Sequence, residues 1–290
     1  MNSRPSLSLA ALSFATLTLL TVERASAAAV LRSVGGDSIV ATISPTRDLF
    51  RADIGGGTTV GANGSFGTQR REINWDGVPA TSSAPNFLAA NFFNTTSPRG
   101  AVFSTPGTGF EVSSATTDAG AGQPAAANFG NINATYTAAF GTFSAQRLFT
   151  PIGSNIMDVT FFVPGTNTVA TVTGFGAVFT DVETLNGTKL EFFTPASVSL
   201  GVFNVPIGTV GNASLSFLGV SFNAGELVGR VRITSGNAAL GAGVNDNPGG
   251  GTDLVVMDDF IYSEPVPEPS TLILLCAAGF AGCLSGRNRK

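Results

Sequence analysis

The stretch Asp158-Val159-Thr160-Phe161-Phe162-Val163 carries apolar Val159, Phe161 and Val163 at every second position. In an extended chain successive side chains point to opposite faces, so these three share one face of a strand. The same period of two returns at residues 229–235, where Val231 and Ile233 alternate with Arg230, Arg232 and Thr234. That is the pattern of a half-buried strand in an antiparallel sheet. Residues 189–193, 197–203, 215–222 and 254–262 read the same way, and 169–182 is a further strand region. There, Gly174 and Gly176 mark a bulge or the close approach of a neighbouring sheet. Asn186-Gly187 between two such runs predicts a tight type I′ hairpin. Helical periodicity is missing except at the two ends of the chain, so residues 28–264 are expected to form one antiparallel β-sandwich.

Composition supports this reading. The chain of 290 residues holds 36 Gly and 23 Phe but only 12% charged residues. Phe, Val, Ile and Thr suit a pleated, half-buried surface, while Gly and Asn suit turns. Residues 116–128 and 241–252, rich in small and polar residues, are read as long surface loops. Residues 28–264 carry ten basic against seventeen acidic side chains, a net charge near −7. With no basic run longer than Arg70-Arg71, such a surface has no electrostatic footprint for nucleic acid. Histidine is absent, and both cysteines, Cys276 and Cys283, fall in the last apolar run. This removes the commonest general base and the ordinary Ser-His-Asp arrangement, and argues against a zinc site. No spacing among Glu72, Asp76, Asp181, Glu183 and Glu191 picks out the carboxylate pair a glycosidase needs. The expectation is a protein that is not an enzyme.

The two ends read as addresses. Arg4, an apolar stretch over residues 7–22 and Ala25-Ser26-Ala27 have the three-part layout of a signal peptide over residues 1–27, with a signal peptidase as first partner. At the other end Val266-Pro267-Glu268-Pro269-Ser270-Thr271 precedes an apolar helix over 272–284 and a basic end of Arg287, Arg289 and Lys290. The apolar run lodges in lipid and the basic residues stay behind, so the tail is a transient membrane anchor. This ending, residues 265–290, resembles the PEP-CTERM sorting signal. The resemblance implies recognition by an exosortase-type transpeptidase and cleavage near Pro267, Glu268 and Pro269. It also implies the envelope surface or extracellular matrix of a Gram-negative, exopolysaccharide-producing bacterium.

Two polar clusters lie between these ends. Arg71, Asn74, Trp75 and Asp76 surround the only Trp of the chain. Trp75 could stack on a sugar ring with the other three holding its hydroxyls, or it could be a core residue beside an Asp76-Gly77 turn. The first alternative makes the chain an exopolysaccharide-binding protein, the second a structural or adhesive matrix protein. The second cluster comprises Asn245-Asp246-Asn247, Asp253 and the pair Asp258-Asp259. Adjacent acids on a strand near the end of the domain resemble the last strand of jelly-roll, carbohydrate-binding-like domains. The fold expected is therefore an all-β, jelly-roll-like sandwich. The resemblance implies a structural Ca²⁺ held at Asp258 and Asp259. Alternation requires one of the two to face inward, where its carboxylate needs a cation, an Arg or backbone N–H groups.

Overall fold

Among the described residues the chain forms strands β1 (Ala29–Gly35), β2 (Arg70–Ile73), β3 (Ala101–Ser104), β4 (Gly109–Val112), β5 (Phe149–Ile152), β6 (Ile156–Phe161) and β7 (Ala170–Thr171). They continue with β8 (Gly174–Thr180), β9 (Lys189–Phe193), β10 (Ser199–Asn204), β11 (Leu215–Phe222), β12 (Arg230–Thr234), β13 (Val256–Ser263) and β14 (Val266–Pro267). The computed structural model describes residues 28–57, 64, 69–116, 118 and 127–268; the predicted signal helix and C-terminal apolar helix lie outside them. One sheet has the order β1-β11-β8-β13-β5-β4 with β2 also on β13, and a second has the order β10-β9-β12-β6-β3. Pairing in both is antiparallel. The chain passes between the sheets repeatedly, as in a jelly roll.

The alternation that opened the sequence is realised in β6, where Met157, Val159 and Phe161 are buried and the residues between them are not. Val159 lies opposite Val231 of β12 and Phe103 of β3. These side chains meet Phe175, Phe179, Val220 and Phe260 of the larger sheet in one continuous core. That interlayer core is the sandwich.

Strands β8, β11 and β13 do not alternate: every residue in them is buried. Their outer face is covered by a helix, α1 (Val40–Asp53), which periodicity did not predict. Pro45 lies inside it and its first turns are β-branched, both poor helix signals. Tertiary packing overrides them. Ile43 and Phe50 are buried against Val178, Phe217 and Ile261 of the sheet. A Cβ at Gly219 would stand 2.5 Å from the Phe50 ring and one at Gly176 2.9 Å from it. The glycines therefore make room for a helix rather than for a second sheet.

The turn at Asn186-Gly187 also differs from expectation. β8 and β9 belong to different sheets, so the link between them cannot be a hairpin. Gly187 N–H donates to Thr184 O and only Asn186 has positive φ (63°), so the central residues are Leu185 and Asn186. A type I′ turn needs positive φ at both central positions.

Candidate functional site

Trp75 is completely buried, so neither ring face is presented to a sugar. Its ring stacks on Phe149 at 4.0 Å between centroids and 9° between planes, with Phe93 and Phe260 edge-on at 5.4 and 5.1 Å. Its Nε1–H donates to Asp258 O at 2.7 Å, meeting the one polar demand of the indole. The residues expected to help it hold a sugar are committed elsewhere. Asn74 Oδ1 accepts from the Asp76 N–H and caps a short 3₁₀ turn. Asp76 Oδ1 accepts from the backbone N–H groups of Gln146 and Arg147. Arg71 is buried and grips Glu264 with two contacts, Nε to Oε2 at 2.7 Å and Nη2 to Oε1 at 3.2 Å. Of the two readings of this segment, the geometry is that of a core residue with its supports.

Asp258 and Asp259 lie at a shift in register between Met257 and Phe260, both of which point into the sandwich core. This bulge breaks the alternation, and both carboxylates are buried. The donors they need come from the chain. Asp258 Oδ2 accepts from the N–H groups of Phe143 (2.7 Å) and Ser144 (3.3 Å). Ser144 Oγ lies 2.9 Å from both Asp258 Oδ1 and Asp259 Oδ1. Burial, and then the charge of Asp259, raise Asp258 well above the usual carboxylate range, and burial raises Asp259 too. The pair is thus held by the Ser144 hydroxyl and by backbone N–H groups. Among the described residues, the acidic group with metal-binding spacing lies elsewhere.

That group is Asp181, Glu183 and Asp246, which bring one carboxylate oxygen each to within 4.8 Å of one another. Asp181 follows the last residue of β8 with φ of 73°, a left-handed conformation that Asp tolerates better than most residues. Its N–H donates to Ser214 O at 2.8 Å, which holds the turn against the start of β11. Asp246 comes from the segment 241–252. Tyr136 Oη donates within this segment, lying 2.7 Å from Val244 O and 3.0 Å from Gly241 O. Asp246 Oδ1 accepts from Leu254 N–H at 2.8 Å, and Asp253 Oδ2 from Thr184 N–H at 2.9 Å.

Four other oxygens of this corner are unmet. Both oxygens of Asp181, Glu183 Oε2 and Asp253 Oδ1 are buried and find no hydrogen-bond partner among the described residues. Burial, then the charges of Asp246, Glu183 and Asp253, push Asp181 up to about 8. The Ala213 amide offsets part of that rise, yet its N–H is directed to Ala139 O at 2.6 Å. Burial and the contact with Asp246 push Glu183 up to about 7. Burial also raises Asp253, against the Thr184 donors that lower it. Asp246 and Asp253 stand in a polar stretch that the sequence marks out. Asp181 and Glu183 trail an apolar strand more than 60 positions before Asp246 and carry no local signal of their meeting.

The sorting segment begins within the folded body. Val266 and Pro267 form β14, which pairs with Thr171 and Ala170 of β7. Glu264, two residues earlier, is a partner of Arg71. Glu268 borders a cleft with Thr194 and Arg230, whereas Pro269 lies outside the described residues. No helix among the described residues is long and apolar enough to cross a membrane.

The family model that matches this chain is the PEP-CTERM protein-sorting motif, over residues 265–290. The chain thus carries the tail of an exported, cell-envelope-targeted protein that is a substrate of an exosortase. No curated protein and no solved structure matches it.

Proposed function

We propose that this chain is a non-catalytic structural component of the cell surface or extracellular matrix of a Gram-negative bacterium, delivered there through a transient membrane anchor and exosortase processing. The observation that carries the reading is the complete burial of Trp75, with Arg71, Asn74 and Asp76 all bonded within the fold. A sandwich whose aromatic residues are spent on its own core serves as a building unit more readily than as a sugar-stacking module. Removing residues 265–290 tests delivery. Fractionated cells are expected to show the full chain processed and at the surface or matrix, and the truncated chain unprocessed and absent from both. Processing and surface attachment that persist without the tail would refute the reading.

Association with exopolysaccharide is supported by a different surface from the one expected. A cleft of about 270 Å³ is lined by Asn74, Phe92, Thr96, Ser97 and Arg99. Arg99 brings a guanidinium to this cleft beside Asn74, Thr96 and Ser97, a set of polar groups suited to sugar hydroxyls or a carboxylate. Retention of the folded chain on its host's polysaccharide, and its loss on Arg99→Ala, tests this second reading.

A further inference from the structure

The acidic corner at the end of β8 is incomplete as the chain alone builds it. Three carboxylates converge within 4.8 Å. One of them, Asp181, is fully buried with neither oxygen bonded among the described residues. Asp253, also fully buried, leaves Oδ1 unpartnered beside them. An orphaned buried carboxylate is among the costliest groups a fold can hold. Burying several together adds mutual repulsion. Each ion pair found among the described residues involves other acids. We propose that Asp181, Glu183 and Asp246 are the protein ligands of a divalent cation, Ca²⁺, with Asp253 at its margin.

The chemistry selects the ion. The donor set is oxygen only, in a chain without histidine and with no cysteine among its described residues, which suits a hard cation rather than zinc or copper. The ligands come from two irregular segments, the β8–β9 link and the 241–252 segment, and not from a rigid octahedral cage. Ca²⁺ accepts six to eight oxygens in flexible geometry, whereas Mg²⁺ demands near-ideal octahedral placement. Water and loop carbonyls can complete the shell. The bound ion would clamp residue 246 to the end of β8, closing the segment over Tyr136 and the small core beneath it. An exported protein meets millimolar calcium, so an affinity on the order of 10⁻⁴–10⁻³ M, typical of extracellular modules, is sufficient.

The experiment is thermal unfolding of the purified full chain in EDTA and in about 10 mM CaCl₂ or MgCl₂, at fixed ionic strength, for four forms of the protein. With an affinity in that range, calcium is expected to raise the midpoint of the unsubstituted chain by roughly 3–10 °C. The rise is expected to vanish in Asp181→Asn and in Asp246→Asn and to survive in Asp258→Asn. Isosteric amides keep the shape of the corner, so the variants are expected to fold. Terbium luminescence, titrated at 25 °C and displaced by calcium, reads occupancy directly should a variant unfold too early to melt cleanly. Four results overturn the assignment: no calcium-dependent shift in the unsubstituted chain, an equal shift with magnesium, a shift that persists in Asp181→Asn and Asp246→Asn, or a shift lost only in Asp258→Asn.

Discussion

The segment around Trp75 and the corner around Asp181 are both rich in polar side chains, and they are solved in opposite ways. Around Trp75 the fold supplies the partners: Asp258 O for the indole, Glu264 for Arg71, backbone N–H groups for Asp76. Around Asp181 four buried oxygens, both of Asp181 and one each of Glu183 and Asp253, have no donors among the described residues. A polar group that has its complement is structure, whereas a group that lacks one is an open valence. The contrast teaches that burial alone does not identify a site. What separates the two regions is whether hydrogen-bonding capacity is used up.

The sharpest way to break the contrast is to empty the satisfied region. Trp75→Ala removes the centre of the Phe93, Phe149 and Phe260 cluster and orphans Asp258 O. It is expected to cost about 5 kcal/mol in urea unfolding, the upper end of large-to-small aromatic substitutions. A cost below about 1 kcal/mol would mean that Trp75 does not organise this core. Arg71→Ala comes next. It removes the cationic half of a buried ion pair with Glu264, which costs on the order of 3–5 kcal/mol. Because Glu264 lies two residues before β14, the same variant is expected to release the start of the sorting segment, read as faster proteolysis near residue 267.

The smallest effect is a slope with pH. The Asp258–Asp259 pair holds its proton above the unfolded value of 3.8, so the folded state binds protons more tightly than the unfolded one. Its contribution is fully present below about pH 4 and is lost as pH rises toward the raised folded value. Asp258→Asn mimics the protonated form and is expected to flatten this dependence above about pH 4. The difference from the unsubstituted chain is up to about 1.4 kcal/mol per pH unit. Urea midpoints measured in EDTA, so that the acidic corner is metal-free in both proteins, check it. Parallel slopes would show that the bulge leaves the pair unshifted.

Legibility followed the range of the interaction that decides each feature. The alternation of β6 and β12 was readable because one face of each strand is buried and the other is not. Strand β8 was readable as a strand, but not what covers it: Gly174 and Gly176 indicate that something approaches closely, and only the assembled sheet shows it to be α1. That helix was missed because Pro45 and the β-branched residues around it argue locally against it, while Phe50 gains its stability from glycines far along the chain. At Asp258-Asp259 the sequence identified a real problem, buried acids, and the resemblance to other domains pointed to a metal. A one-residue bulge brings Phe143 and Ser144 N–H groups into reach, and a bulge has no period-two signature.

The sequence by itself determined the class of fold and the address. Both are local properties: a strand's alternation is written in neighbouring residues, and the sorting motif is one contiguous segment. The tertiary structure alone decided which polar residues are spent and which are open. Arg71 is matched across 193 positions, and Asp181 meets Asp246 only because β8 ends where the 241–252 segment returns. Satisfaction of a charge depends on what surrounds it in space, and no spacing along the chain records that.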